Sequence, residues 1–397
     1  MHIGLVTPSW PGGATANGIA TAVAHLAAGL QETGHEITVI PHAPADESDP
    51  AVVNLPAPRA WTLLEKLNRR LGRDTATMPV RADQIGAALN HAIAARGVEV
   101  LIMEETNGIA GMVQQQVPVP VIMTLHGPWE LHLQLHPADR ETFETRLRIR
   151  REASAFHGCA GVTSPSQDVL DRTIALYGAP ARPHAVIANP IQAQRPLDAG
   201  AIRDGIRRIL FIGRYDRHKG GDTVIQAFRT IAEEDSEARL TFVGPDRGVT
   251  RADGTAEHIG EVLDALPGAV RARIDYRGQM DKPDIEALRY SHGMAVIGSR
   301  YENFPYTALE AHSCGMPTVA TAVGGLPEIV RDGETGLAVP PEDPGAMAAA
   351  CLRLIRDPEL AVRLGAQAHG EVTARFAPGE IARQTVDFIR RVQASAA

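Results

Sequence analysis

GMAVIGSRYENFPYTALEAHSCGMPTVATA, residues 293–322, reads as strand, loop, helix and strand within 30 residues. GMAVIG and PTVATA are short, apolar and β-branched runs of strand length. Between them, NFPYTALE puts a proline where a first helical turn accepts it, and Thr307, Leu309 and Glu310 continue the helix. Two strands joined through a helix form a βαβ unit, which implies a parallel sheet covered on both faces.

The same alternation extends outward. RRILFIG, RLTFVG and IDYRG precede this unit, and each runs straight into a Gly- or polar-rich loop. In the first half, HIGLVTP is followed by the glycine-rich PGGATANG and by a helical pattern with Ala20, Val23, Ala24, Ala27 and Leu30 on one side, closed by Gly34. EITVIPH, VEVLIMEE and VPVIMTLH are further strands, with an Ala-rich helix over residues 82–95 among them. The pattern pauses at ANPIQAQRPLDAG and then restarts. The spacing predicts two α/β domains, residues 1–188 and 201–375, joined by a linker at 189–200, with a C-terminal helix at about 376–397 that packs back on the first. In such sheets ligands sit at the carboxyl ends of the strands.

Composition narrows the function classes. The chain has 397 residues, 44% hydrophobic and 22% charged, with a net charge of -8, which argues against a generic nucleic-acid binder. No run approaches the roughly 20 apolar residues of a membrane span. MHIGLVTPSW reads as a first strand rather than a signal peptide, so the expected location is the cytoplasm. Cys159, Cys314 and Cys351 are too few and scattered for a disulfide framework or metal-ligand pairs.

Two sets of side chains carry chemistry. Arg214 and Lys219, in FIGRYDRHKGG, lie between a strand and the helix DTVIQAF, where N–H groups of a helix start already favour anions. A diphosphate fits there, and both cations would stabilise negative charge growing on a departing nucleotide. A lone R-x4-K elsewhere would be an ordinary solvated loop. Glu302 and Glu310 stand eight residues apart across the loop-to-helix junction. Carboxylates accept strong hydrogen bonds from vicinal hydroxyls, so Glu310 suits a ribose and Glu302 a sugar. Backbone groups of Asn303, Phe304, Tyr306 and Thr307, around Pro305, would face the same ligand. A bare E-x7-E is otherwise a pair of unrelated surface glutamates.

With these segments in view, the chain resembles the retaining glycosyltransferases of the GT4 family. The resemblance is carried by PGG…NGIATAVAHLAAGLQETGHEITVI, TLHG, GRYDRHKGGDTVIQAF, FVGPD and ENFPYTALEAHSCGMPTVATAVGGLPEIVRDGETGLAV. It implies the α/β GT-B fold of two facing Rossmann-like domains with a cleft between them. It also implies transfer of a hexose from a nucleotide diphosphate sugar, a UDP-sugar, to a hydroxyl acceptor with retention of configuration. By the same resemblance Arg214 and Lys219 hold the donor diphosphate, Glu310 the ribose and Glu302 the transferred sugar. His126 lies near the reacting sugar, Gly18 in a loop approaching the donor, and Gly244 with the Gly278 to Met280 loop flanks the base.

The chain departs from the family in ENFP, where EGFG or EGFP is common, and in His312, where a small residue is usual. Without a D-x-D after a strand, and with two cations supplying countercharge, no metal or other cofactor is expected. A hydrolysing sugar-nucleotide epimerase and a non-catalytic nucleotide-sugar binder are the alternatives. Loops after Trp10, Glu105 and His126, with Trp129, His132 and His136, would shape the acceptor, which is open among lipid-linked sugar, polysaccharide and small metabolite. In residues 59–73, Leu63, Leu64, Leu67 and Leu71 share a face ringed by Arg59, Lys66, Arg69, Arg70 and Arg73. The stripe is expected to face a core; the rival is peripheral contact with an anionic membrane. Residues 146–154 form a second basic patch with the same two readings, and either patch could instead meet an anionic acceptor.

Overall fold

The computed structural model describes residues 1–10, 18–43, 45–46, 48–55, 62–70, 77–135, 142–250 and 255–396. The chain divides into two units, Met1–Pro190 with Ala377–Ala397, and Ile191–Phe376. Most of the loop PGGATANG, together with His136 and residues 59–61 and 71–73, lies outside the described residues.

The first unit holds a six-stranded parallel sheet of β1 (His2–Thr7), β2 (Glu36–Pro41), β3 (Val100–Glu104), β4 (Val121–Thr124), β5 (Gly161–Ser164) and β6 (His184–Val186), in the order β2-β1-β3-β4-β5-β6. β1 to β5 are buried almost end to end, which explains their unbroken apolar sequence, while the edge strand β6 is only partly buried. The helix Gly18–Glu32 crosses the start of the C-terminal helix Pro378–Ala396 so closely that a Cβ on Gly29 would lie 2.1 Å from the Pro378 carbonyl oxygen. Ala382, Val386, Phe388, Ile389 and Val392 of that last helix join Ile3, Leu5, Leu30 and Ile122 in one core.

In the second unit, β7 (Arg208–Ile212), β9 (Arg239–Val243), β12 (Ile274–Gly278), β13 (Met294–Ile297), β14 (Thr318–Thr321) and β15 (Leu337–Val339) form a parallel sheet in the order β12-β9-β7-β13-β14-β15. A small ribbon of β8 (Tyr215–Asp216), β10 (Asp246–Thr250) and β11 (Ala256–Glu257) stands beside it. The order reverses at β7, so the carboxyl ends of β7 and β13 mark the switch point where Rossmann-type sheets bind ligands. Phe211 and Phe242, 4.5 Å apart by ring centroid, anchor the core, and helix Gly221–Glu234 adds Val224, Ile225, Phe228 and Ile231.

Three sequence readings change. Residues 189–200 divide at Pro190: the rest belongs to the second unit, where Ile191, Gln194 and Leu197 donate to the carbonyls of Phe376, Ser313 and Cys314, and Ala199–Gly205 is a helix capped by Asp198. The helix after Glu302 begins at Tyr306, with Pro305 extended as its cap. Within the described residues the leucine stripe does not face a core: Leu63, Leu64 and Leu67 are 88%, 66% and 53% exposed on helix Leu63–Arg70. Glu65 is the buried side chain there, because its carboxylate caps the helix by accepting from the Thr62 N–H. Among the described residues no helix is long and apolar enough to cross a membrane.

Candidate active site

The second unit brings Arg214, Lys219 and Glu302 together. Lys219 leaves the loop after β7 and Glu302 the loop after β13, and the Lys219 ammonium donates to Glu302 Oε1 at 2.6 Å across 83 residues of sequence. This ion pair spans the switch point. The same oxygen accepts from the Ser299 hydroxyl at 2.6 Å. Arg214 is half-exposed, and its Nε donates to Asp216 Oδ2 at 2.6 Å, while Asp216 Oδ1 accepts from the Lys219 backbone N–H at 2.7 Å. One aspartate therefore holds the Arg214 guanidinium and the Lys219 backbone, while Glu302 holds the Lys219 ammonium.

Backbone close approach fixes these loops. Gly220, at φ 65°, lies where a Cβ would come 1.9 Å from the Gly298 carbonyl oxygen, so only glycine lets the loop after β7 touch the end of β13. Gly324, at φ 54°, meets the Glu302 carbonyl in the same way, and the Gly325 N–H donates to that carbonyl at 2.9 Å. Arg300 locks the junction from beneath. It donates to both oxygens of Asp222, at 3.0 and 2.7 Å, to Glu342 and to the Arg217 carbonyl. Burial works against its charge, but the bonds to Asp222 and Glu342 outweigh it and raise its pKa.

Glu310 lies on helix Tyr306–Ser313, with its carboxylate held by the guanidinium of buried Arg289. Tyr306, one turn earlier, is shielded enough that burial, then the Glu310 charge, raises its phenol pKa well above the ordinary value. Thr307 is half-buried beside it, as is Asn303. Phe304 is buried edge-on against Phe376 at 5.6 Å, so its side chain packs rather than faces a ligand. Gly244 follows β9 and donates to the Gly278 carbonyl at 2.7 Å; Met280, in the next loop, is partly buried against the core cluster that includes Leu210 and Met316. All these loops leave the carboxyl edge of one sheet. His312 is fully buried with neither ring nitrogen bonded among the described residues, and burial lowers its pKa to about 4.

Gly18 and His126 belong to the first unit. Gly18 opens the helix Gly18–Glu32 and is exposed. His126 follows β4, and its backbone N–H donates to Glu105 Oε1 at 2.8 Å. Desolvation lowers the His126 imidazole to about 4, so the ring is neutral at pH 7. Glu105 is buried, and burial, reinforced by the Glu152 carboxylate, raises its pKa well above the usual range. Glu152 accepts from the Trp129 N–H at 2.7 Å and from Arg148 Nε at 2.6 Å, and the Arg148 guanidinium and the His132 ring each stack 4.3 Å from Trp129. The second basic patch is thus partly engaged within its own unit.

Two family models match successive parts of the chain: Glycosyltransferase Family 4 over residues 16–195 and Glycosyl transferases group 1 over residues 197–370. The chain belongs to the GT4 glycosyltransferases. This glycosyltransferase is 28% identical over 385 residues to D-inositol 3-phosphate glycosyltransferase 1 of Catenulispora acidiphila, covering 90% of this chain and 88% of that one. Sucrose-phosphate synthase from Thermosynechococcus elongatus superposes with a TM-score of 0.74 at 24% identity, covering 99% of each chain. Anabaena HepE in complex with UDP-glucose gives 0.68 at 17% identity, covering 100% of each. These likenesses establish the GT-B fold of two Rossmann-like domains.

Sequence reasoning missed the residues that hold the glycosyltransferase site in shape: Asp216, Ser299, Arg289, and Arg300 with Asp222. Asp216, two residues from Arg214 and three from Lys219, and Ser299, three from Glu302, left a local signal; Arg289 and Arg300 act from 21 to 83 residues away. Among the described residues no three His, Cys, Asp or Glu side chains are grouped to hold a metal ion. We expect the His126 ring protons to titrate by NMR with a midpoint near 4; a midpoint above the free-histidine value of about 6.5 would contradict its desolvation.

Proposed function

We propose that this glycosyltransferase moves a hexose from a nucleotide diphosphate sugar, a UDP-sugar, to a hydroxyl acceptor with retention of configuration and without a metal. The observation that carries the reading is the Lys219–Glu302 pair at the switch point with Arg214 beside it. The diphosphate would lie against Arg214, Lys219 and the start of helix Gly221–Glu234, where charge and N–H groups favour an anion. Glu310 would take the ribose hydroxyls and Glu302 the hexose, with the amides around Asn303 to Thr307 close by. HepE, bound to UDP-glucose in its own structure, supports the choice of donor.

In the proposed reaction the acceptor oxygen bonds to the anomeric carbon on the face the diphosphate leaves. The bond from that carbon to the phosphate oxygen breaks, and the departing oxygen takes the acceptor proton. Arg214 and Lys219 stabilise the charge that grows there, and positioning supplies the rest. Neutral His126 would contact donor hydroxyls or position the acceptor.

A peripheral contact with an anionic membrane face of the cytoplasm, through residues 59–73, is part of the proposal. Leu63, Leu64 and Leu67 stand exposed around Lys66, apolar surface that a stably folded chain covers with a partner or a bilayer.

Incubation with UDP-glucose and an alcohol panel should release UDP and an α-linked product in EDTA. Lys219→Ala and Glu310→Ala should lower kcat/KM by roughly 100-fold or more. Turnover near wild type in either variant would remove the site, an epimer from donor alone would favour an epimerase, and loss in EDTA restored by Mg2+ would remove the metal-free step. Vesicles containing phosphatidylglycerol should retain the chain at low salt, and Leu63→Asp with Leu67→Asp should release it. Equal partitioning of that variant would sink the membrane contact.

A further inference from the structure

Glu302 is held by its backbone and by one side-chain oxygen, and its other oxygen is left over. The backbone carbonyl accepts from the Gly325 N–H at 2.9 Å. Oε1 accepts twice, from the Lys219 ammonium and from the Ser299 hydroxyl, each at 2.6 Å. Among the described residues Oε2 has no partner, and the side chain keeps 8% of its surface open. Ser299 is itself fixed. It lies buried just past β13, and its carbonyl accepts at 2.6 Å from the hydroxyl of Thr321, buried at the end of β14. Hydrogen bonds therefore run from β14 through Ser299 to Glu302 and on to Lys219.

The two donors on Oε1 differ in kind. The terminal torsion of a glutamate is broad and two-fold, so a single mobile donor lets the carboxylate swivel and exchange its oxygens. Lys219 is such a donor, a point charge on a flexible stem, and in the proposed reaction it also serves the diphosphate. The Ser299 hydroxyl stands on buried backbone and carries no charge for a diphosphate to draw away. It keeps Oε1 occupied whichever way the ammonium leans. Serine hydroxyls near strand ends commonly turn to neighbouring backbone. Ser164, at the end of β5, does so by donating to the Ser166 carbonyl at 2.8 Å, whereas Ser299 donates to a carboxylate.

We propose that Ser299 is a positioning residue for donor recognition: with Lys219 it occupies Oε1 of Glu302 and so presents Oε2 to a hydroxyl of the hexose. Ser299 thereby supplies discrimination for the sugar rather than grip on the nucleotide. The inference rests on the proposed role of Glu302 toward the hexose of a UDP-sugar.

The test is calorimetric binding of UDP and of UDP-glucose to the full chain, read as the ratio of the two dissociation constants. Ser299→Ala should weaken UDP-glucose by about tenfold, the size of a lost hydrogen bond to a charged group, and leave UDP unchanged. Ser299→Thr, which keeps the hydroxyl, should restore the ratio. A serine that only holds the fold would weaken both ligands alike. An unchanged ratio in Ser299→Ala, equal loss of both ligands, or a Ser299→Thr ratio no better than that of Ser299→Ala overturns the inference. Should Ser299→Ala not fold, Thr321→Val, which frees the Ser299 backbone, decides by the same ratio: a shift against UDP-glucose supports the inference and no shift overturns it. A wild-type chain that binds neither ligand fails the functional reading and takes the inference with it. One that binds both, with the ratio unmoved in the variants, fails the inference alone.

Discussion

A lysine ammonium and a glutamate carboxylate 2.6 Å apart join the two loops that flank the reversal of strand order in the second unit. Glu302 is nearly buried and Lys219 largely so, and taking both charges from water costs most of what their attraction returns. Apolar residues of equal volume would hold the loops at least as well. The arrangement is better understood as a site kept charged and ordered in advance of an anionic ligand. Asp216 sets the neighbouring cation, Ser299 sets the carboxylate, and Gly220 and Gly324 permit the backbone contacts that bring the loops this close.

The two units divide the electrostatics. The second sets ion pairs at the carboxyl edge of its sheet, Arg214 with Asp216 and Lys219 with Glu302. The corresponding edge of the first carries Glu104, Glu105 and a neutral imidazole, all shifted by desolvation toward their uncharged forms. The first edge thus carries groups shifted toward neutrality, and the second carries ion pairs.

Much of the fold was legible because parallel strands buried on both faces leave an unmistakable apolar signature, as in RILFI and RLTFV. The short ribbon β8-β10-β11 escaped notice, since the two-residue strands β8 and β11 carry no periodicity and β10 (DRGVT) is largely polar. Residues 189–200 looked like a linker because their order comes from backbone bonds to Phe376, Ser313 and Cys314, which leave no mark on side-chain pattern. Lys219 and Glu302 were legible as charges beside strand ends, but their contact was not, being set by the register of β7 on β13. Arg289, which holds Glu310, was invisible for the same reason. At the surface, the leucines of helix Leu63–Arg70 misled in the other direction: an amphipathic stripe tells that something covers it, not that the covering is the protein's own core.

The most direct measurement is a crystal structure of this chain with UDP bound. The account predicts diphosphate oxygens within about 3 Å of the Lys219 ammonium and the Arg214 guanidinium, with both ribose hydroxyls on Glu310. UDP seated elsewhere, or bound with its diphosphate turned away from Lys219, would contradict it.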